Sequence, residues 1–147
     1  MDHILHTFSD AAAFVAELLE DSEAARRWDE PSALEGMTVG GLAGHLAQGT
    51  TYLDRLLNGA AVSDAPVVTI GQYVASLKME GFDDDLPRYL RDLARRSAEH
   101  GPQNTAKRFR DVLERLTARV EGVSGDRLLD MRPVLPWAMR LEDRIRL

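Results

Sequence analysis

Few residues in this chain offer chemistry. His3, His6, His45 and His100 are its four histidines, and it has no cysteine. It therefore brings no thiol nucleophile, no thiolate ligand and no disulfide of its own. His3 and His6 stand three residues apart, a spacing that permits chelation from one helical turn, but that turn is terminal and prone to fray. His100 directly precedes Gly101-Pro102, a helix-stop pair. His45 falls inside a long helical pattern on what reads as its apolar face. An imidazole there is either a metal ligand projecting between facing helices or a core side chain satisfied by a hydrogen bond. One imidazole alone cannot hold a catalytic zinc ion, which normally takes three protein ligands. The residue types by themselves set no catalytic group and no cofactor-binding residue.

Long amphipathic helices must position these groups. Leu5, Phe8, Ala12, Val15, Leu18, Leu19 and Ala25 recur near the helical period, which predicts a first helix ending near Trp28; Asp2, Thr7 and Ser9 can each cap its start, and Thr7 with Asp10 forms a capping-box pattern. Pro31, Ser32 and Gly36 mark a connection, and Thr38 reads as the N-cap of a second helix over Val39 to Asn58 with Gly59 beyond its end. Leu42, His45, Leu46, Tyr52, Leu53 and Leu56 fall on one side of that helix. Gly40, Gly41, Gly44 and Gly49 lie inside it, each at a cost of up to about 1 kcal/mol relative to alanine, so the run implies close backbone packing or a local site.

Thr69 and Gln72 form another capping box before Ile70, Tyr73, Val74 and Leu77, which predicts a short helix. Gly81 and Asp83-Asp84-Asp85 interrupt the pattern, and Leu86, Leu90, Leu93 and Ala94 resume it. Asp84 with Arg88 and Asp92 with Arg96 have the i,i+4 spacing of ion pairs on a solvated face. Phe109, Val112, Leu113, Leu116 and Val120 give the cleanest stripe in the chain, over Asn104 to Glu121. Ser124 to Pro136 reads as an irregular connection that would confine any strand to short pieces, and Trp137, Leu141 and Ile145 open a last helix that runs to Leu147. The expectation is one all-α domain over residues 1–147, a four-helix bundle with a shortened last helix, read as the N-terminal fragment of a longer protein.

Composition narrows the classes of function. With 44% hydrophobic and 29% charged residues, the chain is of ordinary globular type. Its formal net charge of -6 opposes nucleic acid and anionic membrane as partners, since both demand clustered basic surface. No apolar run reaches the roughly 20 residues of a spanning helix, and the N-terminus lacks a signal peptide's basic start, so a cytoplasmic protein is expected.

The stretch Trp28, Pro31-Ser32, Leu34 and Met37-Thr38-Val39-Gly40-Gly41-Leu42-Ala43-Gly44-His45-Leu46 resembles the N-terminal domain of the mycothiol-dependent maleylpyruvate isomerases, a family of the DinB-like superfamily. Arg132-Pro133-Val134-Leu135-Pro136-Trp137 and Met139 to Arg144 are similar to that family's approach to its last helix. The resemblance implies a DinB-like helical bundle and a divalent metal, most commonly zinc. In the family that metal is held by one histidine of the second helix and a Glu-x-x-x-His pair on the last. His45 matches the first ligand, whereas Glu142 has no histidine four residues on, so the pair is expected downstream of Leu147. The resemblance further implies a metal-dependent transferase or isomerase that uses mycothiol or a related small thiol on an electrophilic substrate. The alternative is a non-catalytic helical module for binding or dimerisation. Either reading is compatible with a homodimer, because a shortened last helix would leave apolar faces of the other helices in need of cover.

Overall fold

The computed structural model describes residues 2–60, 62, 64–76 and 85–147. Among these the chain is mostly helical, with α1 (Asp2–Glu20), α2 (Ser22–Arg26), α3 (Val39–Asn58), α4 (Ile70–Ser76), α5 (Asp85–Ala98), α6 (Pro102–Val120) and α7 (Leu141–Ile145). Two three-residue strands, β1 (Leu128–Asp130) and β2 (Ala138–Arg140), form a small antiparallel sheet in which Leu129 pairs with Met139. Long helices dominate, in line with the all-α expectation, and strand is confined to two short pieces, β1 inside the connection over Ser124 to Pro136 and β2 just beyond it. Both strands are too short for period-two alternation to show in the sequence.

Local chemistry explains where most helices begin. Thr38 caps α3 by accepting the amide of Gly41 at 3.0 Å, and Gly59 follows its last turn. Thr69 and Gln72 close a reciprocal box ahead of α4: the Gln72 side chain accepts the Thr69 amide at 2.9 Å, and Thr69 Oγ1 accepts the Gln72 amide at 3.3 Å. Gly101, at a φ of 81°, precedes α6, whose first residue is Pro102. The Gly101-Pro102 pair thus starts a helix as well as ending one, because a missing N–H costs nothing at the first helical position.

Two boundaries differ from the expected ones. The first helix breaks at Asp21, whose carboxylate accepts the amides of Glu23 and Ala24 and so starts the separate helix α2. A helix-interior aspartate competes for nearby amides, and here it wins them. The last helix starts at Leu141 and not at Trp137, because residues 138–140 are drawn into the sheet. Arg95 of α5 pairs with Glu99, just past the helix end, at 2.7 Å, whereas among the described residues no ion pair joins Asp92 to Arg96. The expected Asp84–Arg88 pair involves a residue outside the described ones.

The long helix α3 packs against α5 and α6, and α6 packs against α1. Two apolar clusters result. Ala12, Ala16, Leu19, Ala43, Ala47, Ala106 and Phe109 fill the space among α1, the first half of α3 and α6. Leu53, Leu57, Leu116, Val120, Leu129, Met131, Met139 and Leu141 fill the space among the second halves of α3 and α6 and the sheet. Three contacts clamp the sheet onto α3. Arg127 donates to the carbonyls of Leu57 and Gly59, satisfying orphan acceptors at the helix end. Tyr52 Oη donates to the Met131 carbonyl at 2.9 Å. The chain after α3 also runs along β2, the Val68 amide donating to Ala138 and the Ala138 amide to Pro66.

Candidate functional site

The segment that carries His45 is held from both sides. Ahead of α3 the chain doubles back, so that the Gly40 amide donates to the Trp28 carbonyl at 2.8 Å and the Val39 amide to Glu30 at 2.9 Å. The Trp28 indole then lies directly over Gly40, where an added Cβ would sit 2.5 Å from Nε1. One turn later Gly44 meets the backbone of α5, and a Cβ there would sit 2.3 Å from the Ala94 carbonyl oxygen. These two contacts explain half of the glycine run. The spacing of Trp28, Thr38 and Gly40 is a packing requirement that fixes the start of α3.

This close packing decides which way His45 points. The inward face of α3 carries Gly40, Ala43, Gly44, Ala47, Thr50, Leu53 and Leu57. Leu46 is 41% exposed and His45 is exposed as well. The sequence pattern had placed both on the apolar side. Large apolar residues dominate such a pattern, but neighbouring backbones approach most closely where side chains are smallest, so the small residues turn inward. His45 is therefore not a core histidine, and that alternative is withdrawn. Its imidazole has no hydrogen-bond or ion-pair partner among the described residues, which leaves a ring nitrogen free to bind a metal or accept a proton.

The other histidines stand apart. His3, His6 and His100 are exposed, and His6 lies 3.5 Å from Asp10 on the same helix. Glu142 faces Arg146 at 3.9 Å, and Asp143, which is buried, also lies 3.9 Å from Arg146. No group of three histidine or acidic side chains that could hold a metal ion occurs among the described residues. The described residues thus do not complete a zinc site, which requires about three protein donors.

A second group of residues, which sequence reasoning did not single out, surrounds Tyr52. The Arg55 guanidinium lies 4.9 Å and that of Arg144 5.7 Å from the centre of the Tyr52 ring. Burial raises the Tyr52 hydroxyl above its ordinary range, and burial lowers the Arg144 guanidinium below its own. The Arg144 Nε is enclosed with no hydrogen-bond partner, as is the indole nitrogen of Trp137. The one sequence signal for this group was helical spacing. Tyr52 lies seven residues beyond His45, so the two side chains leave α3 within about 20° of each other and roughly 10 Å apart along its axis. Nothing in the local sequence around Arg144 announces that its side chain packs on an aromatic ring of a distant helix.

No helix among the described residues is long and apolar enough to cross a membrane. The family model for the mycothiol maleylpyruvate isomerase N-terminal domain matches residues 8–141, most of the chain. No curated protein and no solved structure matches it.

Proposed function

The chain belongs to the mycothiol maleylpyruvate isomerase N-terminal domain family, and on that premise we propose that it serves a metal-dependent transferase or isomerase that uses mycothiol or a related small thiol on an electrophilic substrate in the cytoplasm. The family match carries this reading. Three features support it: His45 occupies the second-helix position of the family motif, its imidazole is exposed and free of partners, and a chain without cysteine must import any sulfur it uses. The packing of α1, α3, α5 and α6 against one another is consistent with a DinB-like four-helix bundle.

The chain's own contribution to a metal centre, zinc being the first candidate, is His45. The remaining two donors would be a Glu-x-x-x-His pair beyond Leu147. Elemental analysis tests the reading. The chain as it stands should bind divalent metal weakly and lose that binding in His45→Ala. A natural reading frame that continues past Leu147 should hold one metal per chain, again lost in His45→Ala. Metal retained in His45→Ala, or none in the longer frame, would leave a member of the family without this chemistry.

The second reading is a metal-free helical module that binds a partner or a second copy of itself. Phe14 and Leu18 of α1, which are 60% and 43% exposed, favour it. Light scattering that gives a stable monomer, together with no binding of an apolar dye, would count against it.

A further inference from the structure

Helix α1 carries two apolar stripes, and the fold covers one of them. Leu5, Phe8, Ala12, Ala16 and Leu19 turn inward to the two clusters. Ile4, Thr7, Ala11, Phe14 and Leu18 recur at alternating steps of three and four, the a/d spacing of a coiled-coil contact. Of this second set Phe14 is 60% and Leu18 43% exposed, Thr7 and Ala11 are exposed, and Ile4 is half-buried. The Thr7 hydroxyl donates to the His3 carbonyl at 3.0 Å, so its hydrogen-bonding need is met within the helix.

The charge beside the exposed stripe is one-sided. Asp10 and Glu17 immediately precede Ala11 and Leu18, which places them one heptad apart on the same edge, with His3 ahead of Ile4 at its start. Helix α1 also carries Asp2 and Glu20, and it has no lysine or arginine. Arg110 of α6 reaches it from the other side, hydrogen-bonded to Glu20 and close enough to interact with Glu17. Asp10 faces His6 at 3.5 Å, and both are exposed.

These charges select among occupants. An antiparallel second copy of α1 would set Asp10 against its own counterpart, and either direction of pairing would join two helices with carboxylates and no lysine or arginine, an arrangement that opposes association. A helix with leucines at its a and d positions and lysine or arginine beside them would instead bury Phe14 and Leu18 and neutralise Asp10 and Glu17.

We propose that the outer face of α1 docks a basic amphipathic helix of another protein, whose apolar side covers Ile4, Ala11, Phe14 and Leu18 while its cations face Asp10 and Glu17. The proposal rests on the reading of the chain as a binding module and gives that module a partner class. With 19 residues α1 is about 28 Å long, so the contact is small and of the transient kind.

The probe is a synthetic three-heptad peptide with leucine at a and d and lysine at e and g, compared with the same peptide carrying glutamate at e and g. Titrated into the full chain and followed by NMR, the lysine peptide should bind saturably and shift amides of α1, and the glutamate peptide should not. Phe14→Ser, at an exposed position, should weaken binding about tenfold or more, and Leu18→Ser repeats the test if that variant fails to fold. Raising salt from about 50 mM to about 500 mM should also weaken it. Equal binding of both peptides, shifts confined to other helices, or an affinity untouched by either variant overturns the proposal. So does self-association through Phe14, or a longer natural reading frame that covers Phe14 with its own segment. Absence of lysine-peptide binding overturns the proposal alone; the module reading falls only if the chain is also a monomer that binds no apolar dye.

Discussion

The two ends of α3 are built on opposite principles. Its first half meets its neighbours through glycine and alanine, with Gly44 against the Ala94 backbone and Ala43 and Ala47 beside Ala12, Ala16 and Ala106. Its second half meets them through leucine, with Leu53 and Leu57 against Leu116, Met139 and Leu141. The alanine end brings backbones together and has no room to add atoms. The leucine end keeps backbones apart and fills the gap with side chains, so it has none to spare. The exposed His45 sits on the first and the Tyr52–Arg144 group on the second. A small-residue seam thus turns a potential ligand outward, while a bulky core encloses a charged one.

This contrast predicts opposite responses to substitution. The largest effect belongs to Gly44→Val, which would drive its side chain into the Ala94 carbonyl. It should cost about 3 kcal/mol or more and release α5, seen as a lower melting temperature and faster amide exchange in α5. A melt within a degree of wild type would show that the seam is loose. At the other end, truncation should do the damage. Leu116, fully buried, should cost about 2–5 kcal/mol as Leu116→Ala by urea unfolding, because the cavity collapses only in part.

Smaller effects sharpen the picture. Thr38→Ala removes the cap on the Gly41 amide and should cost about 1 kcal/mol, with exchange quickening in the first turn of α3. Gly49 faces open space, so Gly49→Ala should stabilise the protein by up to about 1 kcal/mol, the reverse of the sign expected at Gly44. Destabilisation by Gly49→Ala would mean that the whole glycine run, and not only Gly40 and Gly44, is packed.

The smallest effect is electrostatic and lies at the leucine end. The Arg132 side chain and backbone amide hydrogen-bond to Asp130 and lower its carboxyl pKa to about 2. A depressed carboxyl pKa stabilises the fold above the unfolded value of about 4, and the contribution is lost as pH falls towards 2. Arg132 is exposed and Asp130 only half-buried, so the change should be slight. An NMR titration of Asp130 should find its midpoint near 2 in the wild type and close to the ordinary value of 3.8 in Arg132→Ala.

Much of the layout was legible because it is encoded locally. Thr38, the Thr69–Gln72 box and Gly101-Pro102 each act within about one turn, so sequence spacing suffices to place α3, α4 and α6. The family, too, is carried by local spacing, with Trp28, Thr38-Val39 and His45 in one contiguous stretch. Locality failed at Asp21, where a single carboxylate broke an otherwise continuous stripe, and at residues 138–140, where a strand exists only because β1 and the chain near Val67 pair with it.

The orientation of α3 and the surroundings of Arg144 belong to the tertiary structure. Periodicity identifies an amphipathic helix but weights each residue by hydrophobicity, so it chose the side of Leu42 and Leu46. Packing depends on how closely backbones can approach, and Gly44 and Ala47 decide that. Arg144 and Tyr52 are ninety-two positions apart in sequence, and no periodic rule links them. Sequence alone determined the long helices, the caps of α3, α4 and α6, and the family. The fold decided that a histidine faces outward and an arginine inward, because exposure depends on what the rest of the chain places opposite each side chain.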